Sequence, residues 1–304
     1  MRQVLMWVLG TTFVAVPTSL NGQSVYGRWD LTVHDGAREW PAWLEVVEGS
    51  PVSGRLQGRV GHALDLTGIE VAGGRLGFTL PAAWGPLGGR PFEATVSGDR
   101  LVARILAEGR ELRVEGARAP ALDRPDPVAW GEPVDLLAEG LTGWSTRDPA
   151  RDGWALHDGE LSNTMPSSDL ITRRKFSDFR LRLEVKVPEG GNSGIYLRGR
   201  HEVQVQDDHG NEPHNRRMGG IYGQLTPSAL PTRPAGEWQT FEVTLVGRRV
   251  TVVLNGVTII DRQEIPGITG GALDSREGEP GPIMLQGDHT AVVYRRIVIQ
   301  EARR

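Results

Sequence analysis

Cysteine is absent from the 304 residues of this chain. That excludes a disulfide framework, a thiol nucleophile and a lipoprotein anchor cysteine, so stability must come from core burial. Sustained helical periodicity is missing beyond the N-terminus. There is no GxSxG elbow and no Walker loop, which leaves serine-nucleophile and nucleotide chemistry without support. A stripe of one charge sign is lacking too. Arg far outnumbers Lys, but the arginines are scattered among acids and the net charge is −4. Composition therefore gives no electrostatic case for nucleic acid. The apolar stretch Val4–Val16 is too short to span a bilayer comfortably. With Met1-Arg2-Gln3 before it and Pro17 after it, it reads as a secretory signal over residues 1–22. An N-terminal membrane anchor is the alternative. The expectation is a bacterial exported chain, periplasmic or secreted, with no membrane span once the signal is removed.

What the chain has in quantity is turn residues, 40 Gly and 20 Pro, set between short β-branched runs. That is the pattern of many strands joined by turns, an all-β protein. Residues 23–117 carry eight short alternating runs at about ten-residue spacing, the signature of a small β-barrel or sandwich. SGDRL at 97–101 marks a tight hairpin. Trp29, Trp40, Trp43 and Trp84 either line a ligand cavity there or serve as core and rim aromatics. Residues 118–133 are proline-rich and read as a semi-rigid linker. Residues 134–304 form a second β-rich module. FRLRLEVKV at 179–187 alternates cleanly, and Asn255-Gly256 between VTVVL and VTII is a strong type I′ hairpin signal. Strands of this number and length suit a jelly-roll sandwich.

HEVQVQDDHG at 201–210 holds the most informative chemistry. Alternation sends Val203 and Val205 to one face and Glu202, Gln204 and Gln206 to the other, with His201 facing away from them. Amides and carboxylates in a row can donate to and accept from sugar hydroxyls in fixed directions. GGIYGQL at 219–225 reads as the next strand, with Tyr222 and Gln224 on one face. LQGDH at 285–289 adds Gln286, Asp288 and His289, while Asn192 and Arg198 flank the GIYL run.

Several of these motifs, taken in order, carry a resemblance. LLAEGLTGW at 136–144, GELSNT, GNSGIYLRG, EVQVQD, IYGQ, GEWQTFEVTL, VTVVLNG and LQGDH together resemble the 3-keto-disaccharide hydrolase domain family over about 170 residues. The resemblance implies a concanavalin A-like, laminin-G-like jelly roll acting on carbohydrate, with some members cleaving 3-keto-glycosides. One departure is that Ala138-Glu139-Gly140 stands where the family usually has Asp-Gly. The small module ahead of it carries no distinctive motif.

A 3-keto sugar opens a route other than paired-carboxylate hydrolysis. The ketone acidifies the C2 proton, so a base can form an enediolate, the C1 substituent can leave by elimination, and water can add back. On this reading Glu202, His209, Asp207 and Tyr222 are the catalytic candidates. Asn192, Arg198, Gln204, Gln206, Gln224, Gln286 and His289 are the sugar-binding candidates. Each also has a plain reading as a surface, turn or core residue. The residues assign no cofactor. A divalent metal could act as a Lewis acid, with His201, Glu202, His209 and His214 as nearby donors. They lack a standard ligand spacing, and His201 and Glu202 point apart. No calcium-loop signature occurs. The competing reading is a carbohydrate-binding or structural module of the cell envelope without catalysis, because fold alone does not decide function.

Overall fold

The computed structural model describes residues 24–303 apart from residues 108, 128 and 166, so the expected secretory signal lies outside the described residues. Nine antiparallel strands build the first module: β1 (Gly27–Asp35), β2 (Arg38–Val47), β3 (Ser53–Gln57), β4 (Leu64–Leu66), β5 (Glu70–Ala72), β6 (Arg75–Thr79), β7 (Pro91–Ser97), β8 (Arg100–Ala107) and β9 (Arg110–Arg118). They follow an up-and-down order in which β1 pairs with both β2 and β9. The sheet therefore wraps into an open barrel whose ends are β4 and β5. Period-two sequence causes this. Along β8, Leu101, Ala103, Ile105 and Ala107 are buried while Arg100, Val102, Arg104 and Leu106 face out. One of the eight alternating runs, 64–71, is two short strands, because Gly68 at φ 64° breaks it. Trp29 fills the barrel core, with its indole N–H donating to the Val25 carbonyl at 3.0 Å.

Residues 119–127 do not float as a spacer. Pro120 accepts hydrogen bonds from Arg248 at 3.1–3.3 Å, and Arg124 pairs with buried Asp178 at 3.0 Å. Thereafter come β10 (Ala129–Trp130), β11 (Val134–Asp135), β12 (Trp144–Thr146), β13 (Trp154–His157), β14 (Glu160–Asn163), β15 (Leu170–Thr172) and β16 (Phe179–Lys186). Next are β17 (Asn192–Leu197), β18 (His201–Gln206), β19 (Trp238–Val246), β20 (Arg249–Leu254), β21 (Val257–Glu264), β22 (Met284–Leu285) and β23 (Val293–Arg303). They make a jelly-roll sandwich. The larger sheet runs β13-β14-β23-β16-β19-β20-β21, and the smaller runs β12-β15-β22-β17-β18.

Between the two sheets lies one apolar core that includes Phe179, Leu181, Leu183 and Val185 from β16 and Ile195, Leu197, Val203 and Val205 from the small sheet. Burying each such side chain contributes about 1.5–3 kcal/mol. Asn255 and Gly256, at φ 50° and 83°, close the β20–β21 hairpin as the sequence signal indicates. Among the described residues, no helix is long and apolar enough to cross a membrane.

The sandwich core occupies one face of β17 and β18. Their other face looks toward residues 270–273 and the first module.

Candidate active site

In the β17–β18 hairpin Asn192 pairs with Gln206, Gly194 with Gln204, and Tyr196 with Glu202. Alternation puts all six on the outer face, while Ile195, Leu197, Val203 and Val205 fill the core. Gly194 has a steric purpose here. A Cβ at that position would fall 2.4 Å from Glu202 Oε1, so its absence gives the carboxyl its place. Around this wall a cavity of about 420 Å3 is lined by Asn192, Tyr196, Glu202, Gln204, Tyr222, Gln286, Asp288 and His289, with Asp169 and Arg147 at one side. Its remaining rim comes from Gly270–Leu273 and from the first module, through Glu39–Pro41 and Arg59–Gly61.

Glu202 is 5% exposed, and burial pushes its pKa up to about 8. The Tyr196 hydroxyl lies 3.0 Å from Glu202 Oε2 and 2.8 Å from the Gly270 carbonyl. A phenol has one proton and can donate to only one of them. If Glu202 is protonated, both contacts are satisfied: the carboxyl donates to Tyr196, which donates to Gly270. Geometry and desolvation thus both favour the neutral acid. Tyr196 itself is held well above its usual pKa by burial and by Glu202, so it stays a phenol.

His289 accompanies Asp288, with Nδ1 2.6 Å from Asp288 Oδ1. That hydrogen bond raises the pKa of His289 and lowers that of Asp288, which favours an imidazolium–carboxylate pair at the cavity edge. Glu202 and His289 each shift the other's ionisation. Asp169 is buried, which raises its pKa, and it accepts from the Gly287 N–H at 3.2 Å and from Arg147 at 3.3 Å. Buried Asn192 Oδ1 has no hydrogen-bond partner, so it is an acceptor free to meet a ligand hydroxyl.

Of the residues expected from sequence, the cavity gathers Glu202, Tyr222, Asn192, Gln204, Gln286 and His289. Gln206 lies in an adjoining groove with His214, Arg216 and Arg217. Four others are placed elsewhere. β18 ends at Gln206, because buried Asp208 accepts from Arg217 at 2.6 Å, from Asn211 at 3.2 Å and from the Met218 N–H at 2.7 Å, which turns the chain away. His209 therefore leaves the sheet, and its Nδ1 lies 2.8 Å from the Thr232 carbonyl. Asp207 closes a turn by accepting from the Gly190 N–H at 3.0 Å. Arg198, at φ 53°, is buried on the far side and donates to the Gly247 and Glu277 carbonyls. Burial lowers its pKa to about 10. Residues 221–225 form a turn, not the expected strand, so Tyr222 and Gln224 diverge. Gln224 meets Ile268 O at 3.4 Å and Arg55 at 3.5 Å, at the contact with the first module.

Tyr196 and Asp169 were not singled out by sequence. Hairpin register across RGR could have located Tyr196, since it sits directly opposite Glu202. Asp169, in SSDL, has no comparable signal. Among the described residues no three metal-ligating side chains cluster. His201 is buried opposite Glu202, with Nδ1 3.2 Å from the Gly267 carbonyl, and His209 and His214 lie outside the cavity lining.

The 3-keto-alpha-glucoside-1,2-lyase-like domain matches residues 133–300. A solved structure assigned as a glycosyl hydrolase from Parabacteroides distasonis is similar at 29% identity and TM-score 0.50, covering 59% of this chain and 93% of its own. A second from that organism shows 24% identity and TM-score 0.47, with coverage of 56% and 100%. A carbohydrate binding module of Bacillus subtilis shows 14% identity and TM-score 0.37, with coverage of 53% and 96%. No curated protein matches the chain.

Proposed function

The chain belongs to the 3-keto-alpha-glucoside-1,2-lyase-like domain family, and from that premise we propose an exported enzyme that cleaves 3-keto-glycosides by elimination. Family membership supports a carbohydrate-acting protein. The finer reading is carried by one observation: a buried carboxyl of raised pKa, Glu202, opening onto a polar cavity that also holds the His289–Asp288 pair. The basic and apolar start of the chain, Met1–Val16, supports export.

Glu202 is the base. A carboxylate of pKa about 8 is a stronger base than an ordinary one, as abstraction beside a ketone requires. It takes the C2 proton, and the C–H electron pair moves into a C2–C3 double bond, leaving negative charge on O3. Imidazolium at His289 stabilises that charge. The electrons then return: the ketone reforms, a C1–C2 double bond forms, and the C1–O bond breaks. The leaving oxygen takes a proton, with the half-buried Tyr222 phenol of the cavity lining as its donor. Water adds a hydroxyl to C1 and a proton to C2, giving the free 3-keto sugar. Asn192, Gln204 and Gln286 orient the ring hydroxyls.

The direct test is to incubate purified protein with a 3-keto disaccharide and follow release of the second sugar. Turnover that is absent with the unoxidised disaccharide is expected. Saturable binding without cleavage would reduce the protein to a carbohydrate-binding module, and no response to either would reject the reading.

A further inference from the structure

The 3-keto-alpha-glucoside-1,2-lyase-like domain match begins at residue 133, yet the cavity does not belong to that part alone. Its rim includes Trp40 and Arg59 of the first module. The contact that places them is a fitted one. Trp43, pointing out of the barrel, is fully buried against Ile268 and Ala272. At Gly267 a Cβ would lie 2.3 Å from the Trp43 ring, so only glycine lets this backbone rest on the indole. Two hydrogen bonds then connect the module to the reactive carboxyl. The Gly271 N–H donates to the Arg59 carbonyl at 2.9 Å. The preceding carbonyl, Gly270, accepts from Tyr196, the partner of Glu202.

The two halves of the cavity differ in chemistry. The jelly-roll half carries most of the groups that titrate: buried Glu202 and Asp169, and the hydrogen-bonded Asp288–His289 pair. The first-module half is lined by Trp40, the exposed Val60, an exposed carboxylate, Glu39, 3.6 Å from His34, and Arg59, whose guanidinium has no side-chain partner among the described residues. Aromatic faces and guanidinium donors bind sugars and do not perform acid–base work on them. The reacting ring must lie among the titrating groups, so what is attached to it faces the other half.

We propose that the first module forms the subsite for the leaving group, the substituent on C1, with Trp40 and Arg59 as its contacts. It rests on the 3-keto-glycoside reading and adds a preference for substrates whose leaving group is itself a sugar or another ring. A methyl leaving group would not reach Trp40.

The test compares kcat/KM on a 3-keto disaccharide and on methyl 3-keto-glucoside for the whole chain and its Arg59→Ala and Trp40→Ala variants. The disaccharide value is expected to fall at least about tenfold further than the methyl glycoside value. Equal falls on both substrates, or no fall, would overturn the proposal. So would selective loss in Arg216→Ala, which would place the leaving group in the adjoining groove. Trp40 also packs on the barrel core. If Trp40→Ala unfolds in a thermal melt, Arg59→Ala on its exposed loop decides alone. Should wild-type protein cleave neither compound, the functional reading fails, and calorimetric binding of the same two compounds takes over. Tighter binding of the disaccharide that Arg59→Ala removes would uphold the subsite. Equal or no binding would end it.

Discussion

Adjacent residues of one short strand look into two different charge environments. His201 faces Glu277, with Nε2 3.7 Å from Oε1, where Glu277 is fully buried and held by Arg248 at 2.5 Å. Asp30 of the first module meets the same carboxyl. Burial and Glu277 push the Asp30 pKa up to about 8. Asp30 Oδ1 is buried without an N–H donor, and Glu277 raises the Asp30 pKa through a hydrogen bond as well as by its charge, as expected of two carboxyls joined by one shared proton. For Glu277, burial raises the pKa and Arg248 opposes it, so the proton resides on Asp30. Glu202, one residue on from His201, has a pKa of similar height but no guanidinium beside it. Its neighbours are a phenol, two aspartates and the His289–Asp288 pair's imidazole. A raised pKa alone therefore does not mark a reactive group. The Glu277 cluster is balanced by its arginines and fastens two modules, whereas Glu202 is unbalanced and borders a cavity.

Exchanging each carboxyl for its amide is the sharpest way to break this contrast. Glu202→Gln is expected to lower kcat by about 10²- to 10⁴-fold, the usual worth of a general base, while the protein stays folded. Stability should even improve at high pH. The raised pKa means that folded protein holds the Glu202 proton between the ordinary value of 4.5 and about 8, where the unfolded chain has lost it. Folding therefore weakens as pH rises through that window, and the variant lacks this penalty. Wild-type activity should move the opposite way and increase as pH approaches 8. Equal pH dependence of unfolding in the two proteins would refute the assignment of that proton.

Glu277→Gln should do the reverse. It leaves Arg248 buried without its carboxylate, a loss of about 3–5 kcal/mol that denaturant unfolding would register. A change below 1 kcal/mol, the range of an exposed pair, would mean that the cluster does not fasten the modules. The smallest effect expected is at the two histidines. His289→Ala should lower kcat by about 10²-fold, and His209→Ala should stay within about twofold of wild type. Comparable losses in both would restore His209 to the site.

Strand content, the Asn255-Gly256 hairpin and the polar face of 201–206 were legible because each depends on period-two alternation or local turn chemistry. Glu202 followed from that face directly. Gln224 did not behave as alternation suggested, because residues 221–225 turn, and His209 does not join the polar face, because the strand stops at Gln206. What stops the strand is the set of hydrogen bonds on Asp208 from residues as far on as Met218, a tertiary event with no local signature. Asp169 and the first-module rim are of the same kind. They reach the cavity only through packing between distant segments, as Trp43 on Gly267 shows.

Exchange at C2 tests the central assignment most directly. Methyl 3-keto-glucoside would be incubated in deuterium oxide with wild-type protein and with Glu202→Gln, and the C2 proton followed by NMR. Wild-type protein is expected to remove that proton at least as fast as methanol is released, and Glu202→Gln to leave it in place while still binding the sugar. Methanol release with the C2 proton retained, or unchanged exchange in Glu202→Gln, would contradict the account.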